Sequence, residues 1–121
     1  MKIKSIEARK VVIPWPKKTQ ASVGVYENLT ALFVKMTSDE GVTGYGEAGM
    51  ISNLLGESPE VGVEIVNSLF APALVGVEIY DINEIHRRMN TIVDGVHATK
   101  SAVDVALYDL IGKHLNMPIY K

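Results

Sequence analysis

The sequence predicts an α+β domain in which a three-stranded antiparallel β-meander is followed by three helices. Strand-like segments occupy the first 47 residues and helical patterns the rest, an order typical of this class. The longest helical pattern, from residue 101 onward, carries apolar side chains at three- and four-residue spacing. Because the chain shows no internal repeat or linker, residues 1–121 are predicted to form one domain.

The composition excludes several classes of protein. With 47% hydrophobic and 21% charged residues, the 121-residue chain has the balance of a globular domain, not of a disordered one. A net charge of -2 without a basic block argues against nucleic acid or a membrane surface as a partner. No apolar run approaches the roughly 18 residues of a membrane span. The absence of cysteine excludes disulfides and thiol catalysis and favours a cytoplasmic location.

Alternation of side-chain type predicts the strands, at residues 2–13, 29–38 and 42–47. Ile3 falls in the opposite phase to Ile6, which indicates either a β-bulge or a strand buried on both faces. The residues Asp39 to Gly41 are typical of a hairpin turn.

Two loops are predicted, at residues 14–28 and 48–57, the first because Pro14 and Pro16 cannot donate to a sheet ladder. Both loops are more apolar than solvated loops need to be, through Trp15, Tyr26, Met50, Ile51, Leu54 and Leu55. Two interpretations remain open: these side chains cover the end of the sheet, or they close a pocket supplied by another part of the protein. Lys17 and Lys18 either contact an anionic ligand there or are solvated.

The first helix is predicted to begin with Ser58 as N-cap and to end at Pro72. Its apolar face is predicted to comprise Val61, Ile65, Val66, Leu69 and Phe70. The second helix is predicted to begin with a capping box from Asp81 to Glu84 and to stop at Asp94-Gly95. Its predicted stripe is Ile82, Ile85, Met89 and Ile92.

The third helix is predicted to begin near Ala98, with Asn116 and Pro118 as stop signals. Its predicted buried face is Ala102, Val103, Ala106, Leu107, Leu110 and Ile111. The small alanines should let a sheet or another helix lie directly on it. Asp109 precedes Lys113 by four residues, which predicts an ion pair on the helix surface.

The residues alone indicate no catalytic centre and no metal site. His86, His97 and His114 have no metal-ligand spacing, and surface or capping roles fit them better. Asp104 and Asp109 lack a third carboxylate or a histidine that would complete a site, so solvated or capping roles are favoured. The glycines of Gly41-x-x-Gly44-x-Gly46 follow a hairpin, and we interpret them as permitting turns and close backbone approach.

Two motifs resemble the N-terminal domain of the mandelate racemase/muconate lactonizing enzyme group of the enolase superfamily. They are Gly41-Val-Thr-Gly-Tyr-Gly-Glu-Ala48 and Ser101-Ala-Val-Asp-Val-Ala-Leu-Tyr-Asp-Leu-Ile-Gly-Lys113, the latter followed by Pro118-Ile119. The resemblance covers essentially the whole chain in order and spacing. It departs at Thr99, where the family usually has alanine, and the family motif runs on beyond Lys121.

The resemblance implies a capping domain whose catalytic (β/α)-barrel is missing from this chain. In that family the barrel supplies the Mg²⁺ ligands and the bases that abstract a proton next to a carboxylate, so none is assigned here and the chain is expected to be inactive alone. The two predicted loops would select a small carboxylate substrate, through Trp15, Thr19, Tyr26, Glu47, Ile51 and Leu54. Because Val23-Gly-Val-Tyr26 has no arginine, an acidic dipeptide substrate is not supported.

Racemase, epimerase, cycloisomerase and dehydratase activities of the parent enzyme all remain open, and the parent is expected to be a homo-oligomer. The isolated domain should expose an apolar patch where its third helix and loops would meet the barrel, and should therefore self-associate. The alternative is a free-standing α+β module for binding or oligomerisation, without catalysis.

Overall fold

The computed structural model describes residues 1–21, 24–49 and 56–121, with the backbone alone at positions 15–21 and 24–29. Three strands come first along the chain: β1 (Ile3–Ala21), β2 (Gly24–Ser38) and β3 (Thr43–Gly49). The helices follow: α1 (Pro59–Glu64), a π-helical segment (Ile65–Phe70), α2 (Ala71–Leu74), α3 (Ile82–Ile92) and α4 (His97–Leu115). The predicted α+β class is confirmed.

The sheet is an antiparallel meander in the order β1-β2-β3, as predicted. The turn between β2 and β3 places Gly41 at a φ of 85°, a conformation that glycine adopts without steric cost. A register shift between Ile3 and Ser5 accounts for the change of phase before Ile6. The β-bulge expected from the sequence is therefore present.

The prediction of a loop over residues 14–28 is wrong. β1 and β2 continue as a two-stranded hairpin, which we call the arm: residues 12–21 of β1 paired with residues 24–30 of β2. Pro14 pairs with Asn28, and after a register shift the ladder resumes at Thr19 and Tyr26.

The two prolines are tolerated because β1 is an edge strand. The Ala8 N–H points away from β2, toward Asn67. Backbone direction alternates along a strand, so Pro14 also turns its nitrogen to the outer edge, where no ladder donor is required. Pro16 falls within the register shift, outside the regular ladder.

The first helical stretch begins as predicted, with the Ser58 hydroxyl accepting a hydrogen bond from the Val61 N–H at 3.3 Å. It does not end at Pro72, however, but runs on to Leu74. A π-helical segment ends at Phe70, so Pro72 falls in the first turn of α2, where proline is tolerated. The changed periodicity also exposes Leu69, one of the residues predicted to be buried, and Val61 is exposed as well.

α3 begins after Asp81, but in the described structure the Asp81 side chain caps no backbone N–H, so the predicted capping box is wrong. Glu84 instead pairs with Arg87 and Arg88, at 2.7 and 2.8 Å. The predicted apolar stripe is buried at Ile85 and Met89 and is exposed at its end.

α4 lies directly on β3. A Cβ atom on Gly46 would stand 1.9 Å from the Ala102 carbonyl oxygen, and one on Gly44 would stand 2.3 Å from the Ala106 carbonyl oxygen. Glycines on the strand and alanines on the helix therefore let the two backbones meet, which confirms the close approach predicted from the sequence. The last turn of α4 ends at Asn116, whose φ is 53°.

The core fills the space between the sheet and the helices. Its fully buried larger side chains come from every layer, and include Ile3, Leu32, Met36, Val66, Phe70, Leu74, Ile79, Ile85, Leu107 and Leu110. Among the described residues, no helix is long and apolar enough to cross a membrane.

Candidate functional site

The candidate site is the end of the sheet where the arm begins. Val11, Ala31 and Gly49 form the last row in which all three strands pair. Beyond this row β1 and β2 continue alone, and the stretch of β2 from Thr30 to Gly24 spans roughly 20 Å at 3.3 Å per residue. The arm and the segment that follows Gly49 therefore leave the sheet at the same end.

The backbone positions of four of the six predicted pocket residues lie at or near this end of the sheet. Thr19 and Tyr26 are direct cross-strand partners in the arm, and Trp15 lies in the register shift that precedes them. Glu47 is paired with Phe33 and is exposed two residues before Gly49. The other two predicted residues, Ile51 and Leu54, lie outside the described residues.

Sequence reasoning missed a set of hydrogen bonds between Glu57 and the start of α4. The Glu57 carboxylate accepts hydrogen bonds from the backbone N–H of Ala98 at 2.9 Å and of Thr99 at 3.1 Å. It also accepts one from the Thr99 hydroxyl at 3.0 Å. These residues are more than 40 positions apart in sequence, so local pattern could not pair them. We call this set of contacts the Glu57 cap.

Two of the three histidines and both aspartates singled out in the sequence have hydrogen-bonded or ionic partners among the described residues. His86 Nε2 lies 2.6 Å from an oxygen of Asp104, and His114 Nδ1 lies 2.5 Å from the Tyr80 hydroxyl. Within residues 1–21, 24–49 and 56–121, no group of three His, Asp or Glu side chains is arranged to hold a metal ion.

Asp109 forms the predicted ion pair with Lys113 at 2.8 Å and also accepts a hydrogen bond from the Tyr45 N–H at 2.9 Å. Lys113 donates to the Thr43 carbonyl at 2.9 Å, so the pair covers the outer edge of β3. Partial burial raises the pKa of Asp109, but the hydrogen bonds from Lys113 and Tyr45 outweigh it and hold the pKa below its usual range. Asp109 therefore stabilises the packing of α4 on the sheet.

α4 carries a second apolar face, opposite the one that packs on the sheet. Val105, Tyr108 and Leu115 lie on it at 46%, 37% and 49% exposure. Beyond the helix, Ile119 is also exposed, next to a groove of about 380 Å³ between the last turn of α4 and the chain that follows. A helix that is apolar on opposite sides is normally covered on both. We call Val105, Tyr108, Leu115 and Ile119 the outer face of α4.

Comparison with known proteins identifies the architecture. Residues 5–121 match the family model described as mandelate racemase/muconate lactonizing enzyme, N-terminal domain. An N-succinyl-L-Arg/Lys racemase of Bacillus cereus is 36% identical over 121 residues, which is all of this chain and 33% of that protein. A hydrophobic dipeptide epimerase of Enterococcus faecalis is 32% identical over the same length, or 34% of that protein.

A solved structure of a dipeptide epimerase from Enterococcus faecalis, complexed with Mg and the dipeptide L-Leu-L-Tyr, superimposes with a TM-score of 0.94 at 32% identity. The match covers 99% of this chain and 34% of that one. The chain thus spans about a third of the length of the curated relatives that it matches.

Proposed function

The chain belongs to the mandelate racemase/muconate lactonizing enzyme family, whose N-terminal domain it matches, and on that basis we propose that it caps the active site of a longer Mg²⁺-dependent enzyme. That enzyme abstracts a proton next to the carboxylate of a small substrate and acts as a racemase, epimerase, cycloisomerase or dehydratase. The activities of the two relatives, racemization and epimerization, support this class of chemistry.

The outer face of α4 is the observation that carries the proposal. Large apolar side chains that are exposed together on one face of a helix are typical of an interaction site. The relatives are about three times the length of this chain, so a large second domain is available in them to cover such a surface. The proposed occupant is the C-terminal barrel domain of the same polypeptide.

The arm and the segment after β3 are proposed to select the substrate. They leave the sheet together, and loops held by a rigid scaffold are where binding residues concentrate. Trp15, Thr19, Tyr26 and Glu47 are the proposed substrate-facing residues in the described part of the chain. Ile51 and Leu54 are proposed for the segment after β3.

The Mg²⁺ ion is proposed to bind to the barrel domain. The described residues do not fit a magnesium site, because no three carboxylate or imidazole groups converge in them. The metal would stabilise the negative charge that develops on the substrate carboxylate, and no step of that chemistry is assigned to this chain. The parent enzyme is further proposed to be a cytoplasmic homo-oligomer.

Exchange of the substrate α-proton with solvent deuterium tests the proposal, because it detects proton abstraction whatever the stereochemical outcome. The full-length protein would be incubated in D₂O with Mg²⁺ and a panel of N-succinyl amino acids and uncharged dipeptides, beside the 121-residue chain. We expect the full-length protein to catalyse the exchange and the 121-residue chain not to. Chelation of the metal should abolish the exchange. Exchange catalysed by the 121-residue chain would contradict the capping role. A full-length protein that catalysed no exchange, converted no muconate and dehydrated no hydroxy acid would contradict the assigned chemistry.

A further inference from the structure

The Glu57 cap lies where the proposed substrate-selecting segment after β3 rejoins the folded domain. We propose that Glu57, held by Thr99, is a positioning residue that sets the selectivity of the parent enzyme among substrates with different side chains. The inference rests on the capping function proposed above and adds a specific pair of residues to it.

In the Glu57 cap, both carboxylate oxygens of Glu57 accept hydrogen bonds from the start of α4. One carboxylate oxygen of Glu57 accepts from the Thr99 N–H and hydroxyl, and the other accepts from the Ala98 N–H. Thr99 is only 1% exposed, so its hydroxyl depends on a partner within the protein. Thr99 thus contributes two of the three hydrogen bonds, one of them through its side chain.

Glu57 replaces a local N-cap at α4. The first turn of a helix has N–H groups without intrahelical acceptors, and a negative charge is favoured there. Val96, which occupies the N-cap position, makes no side-chain cap and has a φ of 45°. A β-branched residue seldom adopts that conformation, and it persists only where the surroundings impose it. The Glu57 cap supplies such a constraint, since it binds the two N–H groups that follow His97.

The cap also fixes one end of a short connection. Gly49 is held in the sheet opposite Ala31, and after six intervening residues the chain reaches Gly56 and Glu57. Ser58 then caps α1. Gly49 and Glu57, on either side of positions 50–55, are therefore both held by the folded domain, and moving Glu57 would change the distance between them. Displacement of a positioning group by about 1 Å can change rates by up to about 100-fold.

The test uses the full-length enzyme and two substrates that differ only in the side chain. Glu57→Gln keeps the shape but replaces one acceptor oxygen by an NH₂ group, which would face a backbone N–H or the Thr99 hydroxyl. Thr99→Val removes only the hydroxyl, and Thr99→Ser retains it as the matched control. We expect Glu57→Gln to change the ratio of the two KM values by about tenfold or more, with each kcat within about threefold of the parent value.

Thr99→Val should shift the KM ratio in the same direction, and Thr99→Ser should restore it. The double variant should equal Glu57→Gln, since both substitutions break one contact set. If Glu57→Gln fails to fold, Thr99→Val carries the test. Suppose that the wild-type full-length enzyme is active. If the folded variants then keep its KM ratio within twofold, or lose kcat equally for both substrates, this inference is overturned and the proposed function stands. A wild-type protein inactive on every substrate of the class would overturn the proposed function and this inference together.

Discussion

At the scale of single residues, Gly46 lies so close to the backbone of α4 that no side chain fits there. Any side chain at Gly46 would collide with the Ala102 carbonyl, which is backbone and cannot rotate away. We expect Gly46→Ala to destabilise the domain by about 3 kcal/mol, at the upper end of the range for overpacked sites. Urea unfolding followed by circular dichroism measures the loss.

Gly41→Ala is the matched control, because nothing lies within 4 Å of its Cβ position and only the positive φ is unfavourable. That conformational cost is about 1 kcal/mol. Equal losses for the two variants would mean that α4 shifts on the sheet without penalty.

Glu84 gives the domain a predicted dependence on pH. Hydrogen bonds from Arg87 and then Arg88 lower the pKa of its carboxyl to about 2, from 4.5. Because the folded-state pKa is the lower one, the stabilisation is present above pH 4.5 and is lost as the pH falls toward 2. We expect Glu84→Gln to lower the Tm at pH 7 and the difference from wild type to shrink at pH 2.5. Glu40→Gln, in the exposed β2–β3 turn, controls for the change in net charge, and a Glu84→Gln difference that stayed constant across this range would contradict the assignment.

At the scale of elements, sequence reasoning succeeded where one local signal determined the outcome. Alternation placed all three strands, and the Ser58-Pro59 pair placed the start of α1. It failed where a proline was tolerated because of a structural feature that the sequence around it does not signal. Pro14 indicates the end of a strand unless β1 is known to be an edge strand. Pro72 indicates the end of a helix unless the preceding π-helical segment is known.

The candidate site follows the same rule. The predicted loop residues could be assigned to one end of the sheet, because a meander returns alternate connections to the same end. The Glu57 cap could not be predicted, since Glu57 and Thr99 meet only after the intervening helices have folded. An exposed apolar patch on this helix was expected from the family resemblance, which places a barrel against it, but the sequence did not identify Val105 and Tyr108 as its members.

Asn67 protects the outer edge of β1. Its side-chain oxygen accepts from the Ala8 N–H at 2.8 Å and its nitrogen donates to the Ala8 carbonyl at 3.2 Å, as a neighbouring strand would. We expect Asn67→Leu to cost about 2 kcal/mol, from two hydrogen bonds at roughly 1 kcal/mol each. The opened edge should also pair with a second copy of the chain. Sedimentation velocity and urea unfolding test both effects, with exposed Ser68→Ala as the neighbouring control, and a variant as stable and as monomeric as that control would refute the edge role.

At the scale of the whole molecule, the two faces of α4 connect folding to function. Its inner face is covered by the sheet within this domain, and its outer face is left for a second body. The same helix therefore organises the core and carries the proposed contact with the barrel. The end of the sheet that bears the arm, together with the Glu57 cap, would then be held at a defined place over the barrel.

The substitution Val105→Lys distinguishes a domain that packs on a barrel from a free-standing module. Val105 is 46% exposed in the domain alone, so a lysine there should leave the fold of the 121-residue chain intact while weakening its self-association. In the full-length protein the same side chain would be covered by the barrel, and we expect a loss of about 2 kcal/mol from the apolar burial forgone, plus the cost of a charge at the contact. Asn83→Lys adds the same charge at an exposed position of α3. Thermal unfolding of both variants, in the 121-residue chain and in the full-length protein, tests this expectation. If Val105→Lys lowers the Tm of the full-length protein no more than Asn83→Lys does, the outer face of α4 does not contact the barrel. The capping proposal then loses the observation that carries it.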